Sequence, residues 1–234
     1  MDRNLTAAAL AALLASAVPV AQANPIPIYN TGSNNSGAST TGGLSAAGAA
    51  DPHWQIISTP SSASPVTTYA VSGTPGTWGG SPYSRWIGPG TDGNDSQLSG
   101  TYEYQTSFDL GGLDYTTATL GGSFAADNCI SDVLINGTST GIHNTGATND
   151  GTGSCVNTNN FGSFLALSIS SGFISGINTL TFILQNGGPT ANPTGLDVLI
   201  SGTAAPLPVP EPATLGLFGL ALLGLGGLWI RRRN

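Results

Sequence analysis

Residues Thr101–Leu110 alternate without a break. Tyr102, Tyr104, Thr106, Phe108 and Leu110 fall on one side, and Glu103, Gln105 and Asp109 on the other. A period of two places the first set on one face of an extended strand; a helix would repeat its apolar positions every three to four residues. A strand with one apolar face must bury it against a second layer. The same grammar recurs in Trp54–Ser58, Val66–Ser72, Thr116–Ala125, Ile130–Ile135, Phe164–Ile169, Asn178–Leu184 and Leu196–Ser201. Asn136-Gly137 and Asn186-Gly187-Gly188 are turn punctuation, because Asn and Gly tolerate positive φ. No long 3.6-period stretch interrupts them. The expectation is an all-β fold, an antiparallel β-sandwich over residues 51–203.

Both ends read as processing segments. Residues 1–23 form a signal peptide: Arg3 opens it, Ala7–Val18 is its apolar core, and Ala21-Gln22-Ala23 is a small-x-small cleavage pattern. This implies the Sec translocon and signal peptidase as partners. Residues 24–50 are rich in Gly, Ser and Asn and read as a flexible linker. Residues 204–208 begin a Pro-rich connector, extended because each X-Pro step disfavours helix. Ala213–Ile230 carries no charge and is long enough for a transmembrane helix. Arg231, Arg232 and Arg233 stop transfer and mark the cytoplasmic side.

The order at the C-terminus is a Pro-rich spacer, Val209-Pro210-Glu211-Pro212, a Gly-rich apolar helix and an Arg cluster. Residues 209–234 resemble the PEP-CTERM sorting signal of Gram-negative bacteria that make exopolysaccharide. The resemblance implies recognition by an exosortase, a membrane cysteine transpeptidase, with cleavage near Pro210-Glu211-Pro212. The precursor would be anchored in the inner membrane on the periplasmic side. The product would reach the cell surface or extracellular matrix.

A second stretch, Gly122–Asn128 with Val133–Gly137, Gly141–His143, Phe164 and Gly176–Asn186, looks like the galactose-binding-like jelly-roll modules. That resemblance concerns scaffold residues and departs from the family in a Gly/Asn/Thr insert, His143–Asn160.

Charge narrows the partners. The chain has 234 residues, twelve acids, five bases and no lysine. Without the two ends, ten acids face Arg85 alone, a formal charge of −9 for the body. That excludes nucleic acid, whose binding needs Lys and Arg to displace counterions. The charge is compatible with calcium, through carboxylate and carbonyl oxygens; the bland reading is that the acids keep a surface protein soluble. Cys129 and Cys155 read as one disulfide in an exported chain. They lack the CxxC spacing of a zinc site.

One loop has the composition of a ligand site. Trp78, Tyr83 and Trp86 supply aromatic faces, and Asp92, Asn94 and Asp95 supply side-chain oxygens and an amide. Sugar recognition combines such apolar contact with a few placed polar groups. The bland reading makes the aromatics packing residues and Asp92–Asp95 an oxygen-rich turn. Catalysis has little in its favour. Glu103 is the body's one glutamate, there is no Gly-x-Ser-x-Gly elbow, and His53 and His143 have no evident nucleophile. The expectation is a non-enzymatic, exosortase-sorted surface or matrix protein whose sandwich contacts exopolysaccharide. The alternatives are a passive matrix protein without ligand and a secreted carbohydrate-active hydrolase.

Overall fold

The computed structural model describes residues 22–34, 43–144 and 160–208. Every element in these residues is a strand: β1 (Asn24–Pro25), β2 (Trp54–Ser58), β3 (Tyr69–Ala70), β4 (Ile87–Gly88), β5 (Gly100–Asp109), β6 (Leu113–Asp127), β7 (Cys129–Ile135), β8 (Thr138–Ser139), β9 (Leu165–Ile169), β10 (Ile177–Asn186) and β11 (Gly195–Pro206). They form two antiparallel sheets. One runs β3-β4-β11-β6-β9, with β1 added on β11, and the other runs β2-β5-β10-β7-β8.

Alternation builds the core between them. Tyr102, Tyr104, Thr106, Phe108 and Leu110 of the second sheet are buried, as their spacing requires. They meet Leu120, Phe124, Leu196, Val198 and Ile200 of the first sheet in one cluster. Phe182 on β10 sits edge-on to Phe124 of the opposite sheet, with centroids 5.5 Å apart. Such a T-shaped pair adds to the burial term by aligning ring edge with ring face. Two apolar faces closed on each other make a β-sandwich.

The Asn136-Gly137 turn joins β7 to β8 with φ of 51° and 77°, the left-handed pair a tight hairpin needs. The Asn136 side chain then reaches Asn178, its Nδ2 donating to Asn178 Oδ1 at 2.8 Å. Asn178 is fully buried. It also accepts from Ile174 N and donates to the carbonyls of Ile174 and Gly176. One buried amide thus turns the chain into β10.

Two boundaries differ from the sequence reading. The residues read as linker 24–50 belong in their described part to the body. Asn24 and Pro25 pair with Ala204 and Thr203, and Ile26 and Ile28 are in the core. Asp51 fastens this arm: its Oδ2 accepts from Gly32 N at 2.6 Å while Oδ1 accepts from His53 N and Trp54 N. The second difference is at the C-terminus. β11 continues through Pro206, which pairs with Leu113, and Leu207 N donates to Gly112 O. Residues 204–206, read as connector, are strand. Val66–Ser72 also shrinks to β3 and a single bridge from Val66 to Ile56.

Register divides the sandwich into two ends. At the tail end lie Asn24, Asp109, Leu113, Asn136, Ile177 and Pro206. At the loop end lie Gly100, Asp127, Cys129, Asn186 and Gly195.

Candidate functional site at the loop end

The loop between β3 and β4 folds over the outer face of the first sheet, against Ala125. Val71, Trp78, Trp86 and Ala125 make a second, smaller core, with Phe161 and Phe164 packed on it. Trp78 and Trp86 lie against each other with centroids 4.1 Å apart. Both are buried, and both indole N–H groups are spent. Trp78 Nε1 donates to Asp127 Oδ2 at 2.8 Å, and Trp86 Nε1 to the Gly79 carbonyl at 2.6 Å.

Glycines make the slot for Trp78. A Cβ on Gly195 would come within 2.8 Å of its Cη2, and one on Gly93 within 3.2 Å of its Cζ3. The Asp92–Asp95 turn therefore covers an indole. Gly93 N donates to Gly73 O at 2.9 Å. Asp92 Oδ1 accepts from both Asn94 N and Asn94 Nδ2, which holds its carboxyl below the ordinary range. A carboxylate engaged by its own turn has less to offer calcium. Among the described residues, no group of three His, Cys, Asp or Glu is placed to hold a metal. Tyr83 stands apart, with its ring exposed. The six residues singled out in the sequence thus divide into two packed indoles, a covering turn and a free phenol.

Beside the indoles a cleft of about 290 Å³ opens, lined among others by Trp78, Trp86, Ser84, Arg85, Gly79 and Asp197. Arg85, Ser84 and Asp197 were not singled out as site residues by sequence reasoning. Asp197 projects from β11 to the outer face because its neighbours Leu196 and Val198 point inward. Its Oδ1 accepts from Thr31 Oγ1 at 3.1 Å. Arg85 Nε is buried without a hydrogen-bond partner. Burial pushes the Asp197 carboxyl up to about 6, against the smaller opposing effect of the Ser84 and Thr31 hydroxyls. Burial likewise raises Asp127 to about 6, with Trp78 Nε1 pulling the other way.

Residues 208–233 match the family of the PEP-CTERM protein-sorting motif. The chain carries a PEP-CTERM sorting motif. No curated protein matches the chain. The PEP-CTERM motif makes this an exported, exosortase-sorted protein that is anchored in the membrane before processing. It begins directly after Leu207, so the tail end of the sandwich adjoins the motif and the Trp78–Trp86 loop lies at the other end. Val209 to Pro212, the segment 213–230 and Arg231 to Arg233 fall outside the described residues, as does most of 1–23.

A second cavity, about 410 Å³, lies along β2 and is lined by Asp51, His53, Trp54, Gln105 and Thr106 among others. Its titratable groups serve the fold. Asp51 gives its oxygens to backbone N–H groups, and burial raises its pKa. His53 stacks on Tyr29 at 3.6 Å, and burial lowers its pKa.

Cys129 is fully buried and is not a free thiol. Cys155 lies outside the described residues, but the ends of its segment are joined. Asn160 Nδ2 donates to the carbonyls of Asn144 and Asn128 at 3.1 Å.

Proposed function

We propose that this is a non-enzymatic cell-surface or extracellular-matrix protein, anchored through a transmembrane helix at 213–230 until exosortase acts near Pro210-Glu211-Pro212. Its sandwich, of jelly-roll type, contacts exopolysaccharide through the cleft beside Trp78 and Trp86. One observation carries the ligand reading. Arg85 Nε has no hydrogen-bond partner, and Arg85, Ser84 and Asp197 line a cleft walled by two indoles. Buried polar groups are normally satisfied, and a saccharide offers hydroxyls to such groups and apolar ring faces to indoles. The motif adds a reason of place, since sorting of this kind delivers proteins to a polysaccharide-bearing surface.

The cleft has one carboxylate, Asp197, and the β2 cavity also has one, Asp51. Glycoside hydrolysis uses two carboxyl groups across the scissile bond. This favours binding over the hydrolase alternative.

The test is sedimentation of the protein with exopolysaccharide from its host, comparing wild type with Arg85→Gln and Ser84→Ala. Loss of binding in the variants at nearly unchanged melting temperature is the expected result. Absence of binding by wild type reduces the body to a passive matrix module.

A further inference from the structure

Among the described residues, the two chain exits coincide with four of the seven exposed large apolar side chains of the sandwich. Asn24 pairs with Ala204, so the mature N-terminus and the strand leading to the tail leave from the same end. Leu207, exposed and hydrogen-bonded to Gly112 through its N–H, is followed at once by the sorting motif. The match to the motif begins at residue 208, the residue after Leu207. Of the exposed large apolar residues, Tyr115, Ile174, Ile177 and Leu207 all lie at this end. Ile177 opens β10 opposite Asp109, Ile174 lies in the loop that precedes it, and Tyr115 is the third residue of β6. Ile177 is the most exposed of them, at 62 %.

We infer that the tail end is a lipid-facing surface, which rests the β-sandwich on the bilayer that holds the uncleaved precursor. This inference rests on the sorting-motif reading of the tail. On the sorting reading, a span at 213–230 would fix which end of the body faces the membrane. It would also fix the occupant, since the headgroup layer is what a surface so close to a span meets first. Isolated apolar side chains bind a bilayer weakly, but a short tether holds them at high effective concentration, so weak contact suffices. Hydroxyls suit the same layer: Thr138, Ser139, Ser170 and Ser171 line a crevice of about 260 Å³ at this end. Asp109 and Asp114 are the carboxylates here, each engaged by its own turn, with Gly111 N and with Thr116. Their charge disfavours anionic headgroups, so the surface fits a zwitterionic lipid face. The consequence is orientation. The loop end, with its cleft, points away from the membrane, while the Pro-rich motif is held at the bilayer surface.

Fluorescence quenching by brominated lipid tests this on the full chain in dibrominated phosphatidylcholine vesicles without exosortase. Trp229, read as the difference between wild type and Trp229→Phe, reports insertion of the tail. In a Trp229→Phe parent, Ile177→Trp reports the tail end and Leu98→Trp, exposed near the loop end, is the control. A side chain seated roughly 5–10 Å into the interface should lose about half of the emission it adds over the Trp54, Trp78 and Trp86 background of the parent, while the contribution of the control stays unchanged. If Trp229 is quenched and Ile177→Trp is not, the proposal fails and the sorting reading survives. If Trp229 itself is unquenched, the tail is not inserted and both fail. If Ile177→Trp responds only when exosortase is added, the surface belongs to that enzyme and the lipid proposal is overturned.

Discussion

Trp78 Nε1 donates to Asp127 Oδ2 at 2.8 Å across 49 residues of chain, pinning the β3–β4 loop to the end of β6. Replacing Trp78 by Phe keeps much of the packing and strands a buried carboxylate oxygen. The loss should be about 1–3 kcal/mol, the cost of an unsatisfied buried group. Gly195→Ala should cost a similar amount for a different reason: its Cβ would press on Trp78 at 2.8 Å and on the Ile87 carbonyl at 3.1 Å. Denaturant unfolding of both variants measures the two effects.

Asp127 and Asp197 set a pH dependence with a definite sign. Both carboxyls are raised from 3.8 to about 6 in the folded protein, chiefly by burial. Between those values the native state holds more protons than the unfolded chain, so stability falls as pH rises through the window. The penalty is absent below about pH 4 and complete above about pH 6. Burial of Asp51 acts in the same direction. The melting temperature should therefore rise on acidification from pH 7 to pH 5. Asp197→Asn should stabilise the protein at pH 7 by about 1–3 kcal/mol and flatten this profile. If that variant also binds exopolysaccharide less well, the acid is kept for function at a cost in stability.

Asn178 is a buried amide bonded to Asn136, Ile174 and Gly176. Asn178→Ala leaves several of those groups without partners. The expected loss is about 2–4 kcal/mol, more than for an ordinary surface substitution. Thermal unfolding checks it.

A pairing of Cys129 with Cys155 would have its own consequence. The bridge would close a loop of 25 residues, worth roughly 3 kcal/mol in the chain-entropy account. Cys155→Ser and Cys129→Ser should then be destabilised alike, and peptide mapping without reductant should recover the linked pair. Two free thiols after oxidative export would exclude it.

Period-two patterning was enough to read β5. Its buried face is the one that Tyr102 to Leu110 mark, because alternation is a property of the strand itself. The Asn136-Gly137 hairpin was legible for the same local reason. What escaped was decided by distant partners. Pro25-Ile26-Pro27-Ile28 sits in a stretch of linker composition, yet both isoleucines enter the core because β11 offers them an edge. For Trp78 and Trp86 the sequence left two readings open, a ligand loop or packing residues, because the partner that decides burial is remote. Gly93 and Gly195, far apart in sequence, make the slot that buries Trp78. Asp197 lay hidden in an apolar run, with only its place between inward-pointing Leu196 and Val198 to mark it. The tail needed no partner to be read, since its signal is linear.

The central claim is that the tail is a sorting signal that is cut, and mass spectrometry of the protein's mature termini in its host tests it most directly. The account predicts an N-terminus at Asn24 and a C-terminus within or just before Pro210-Glu211-Pro212. A surface-recovered protein that still carries Arg231-Arg232-Arg233 would contradict it.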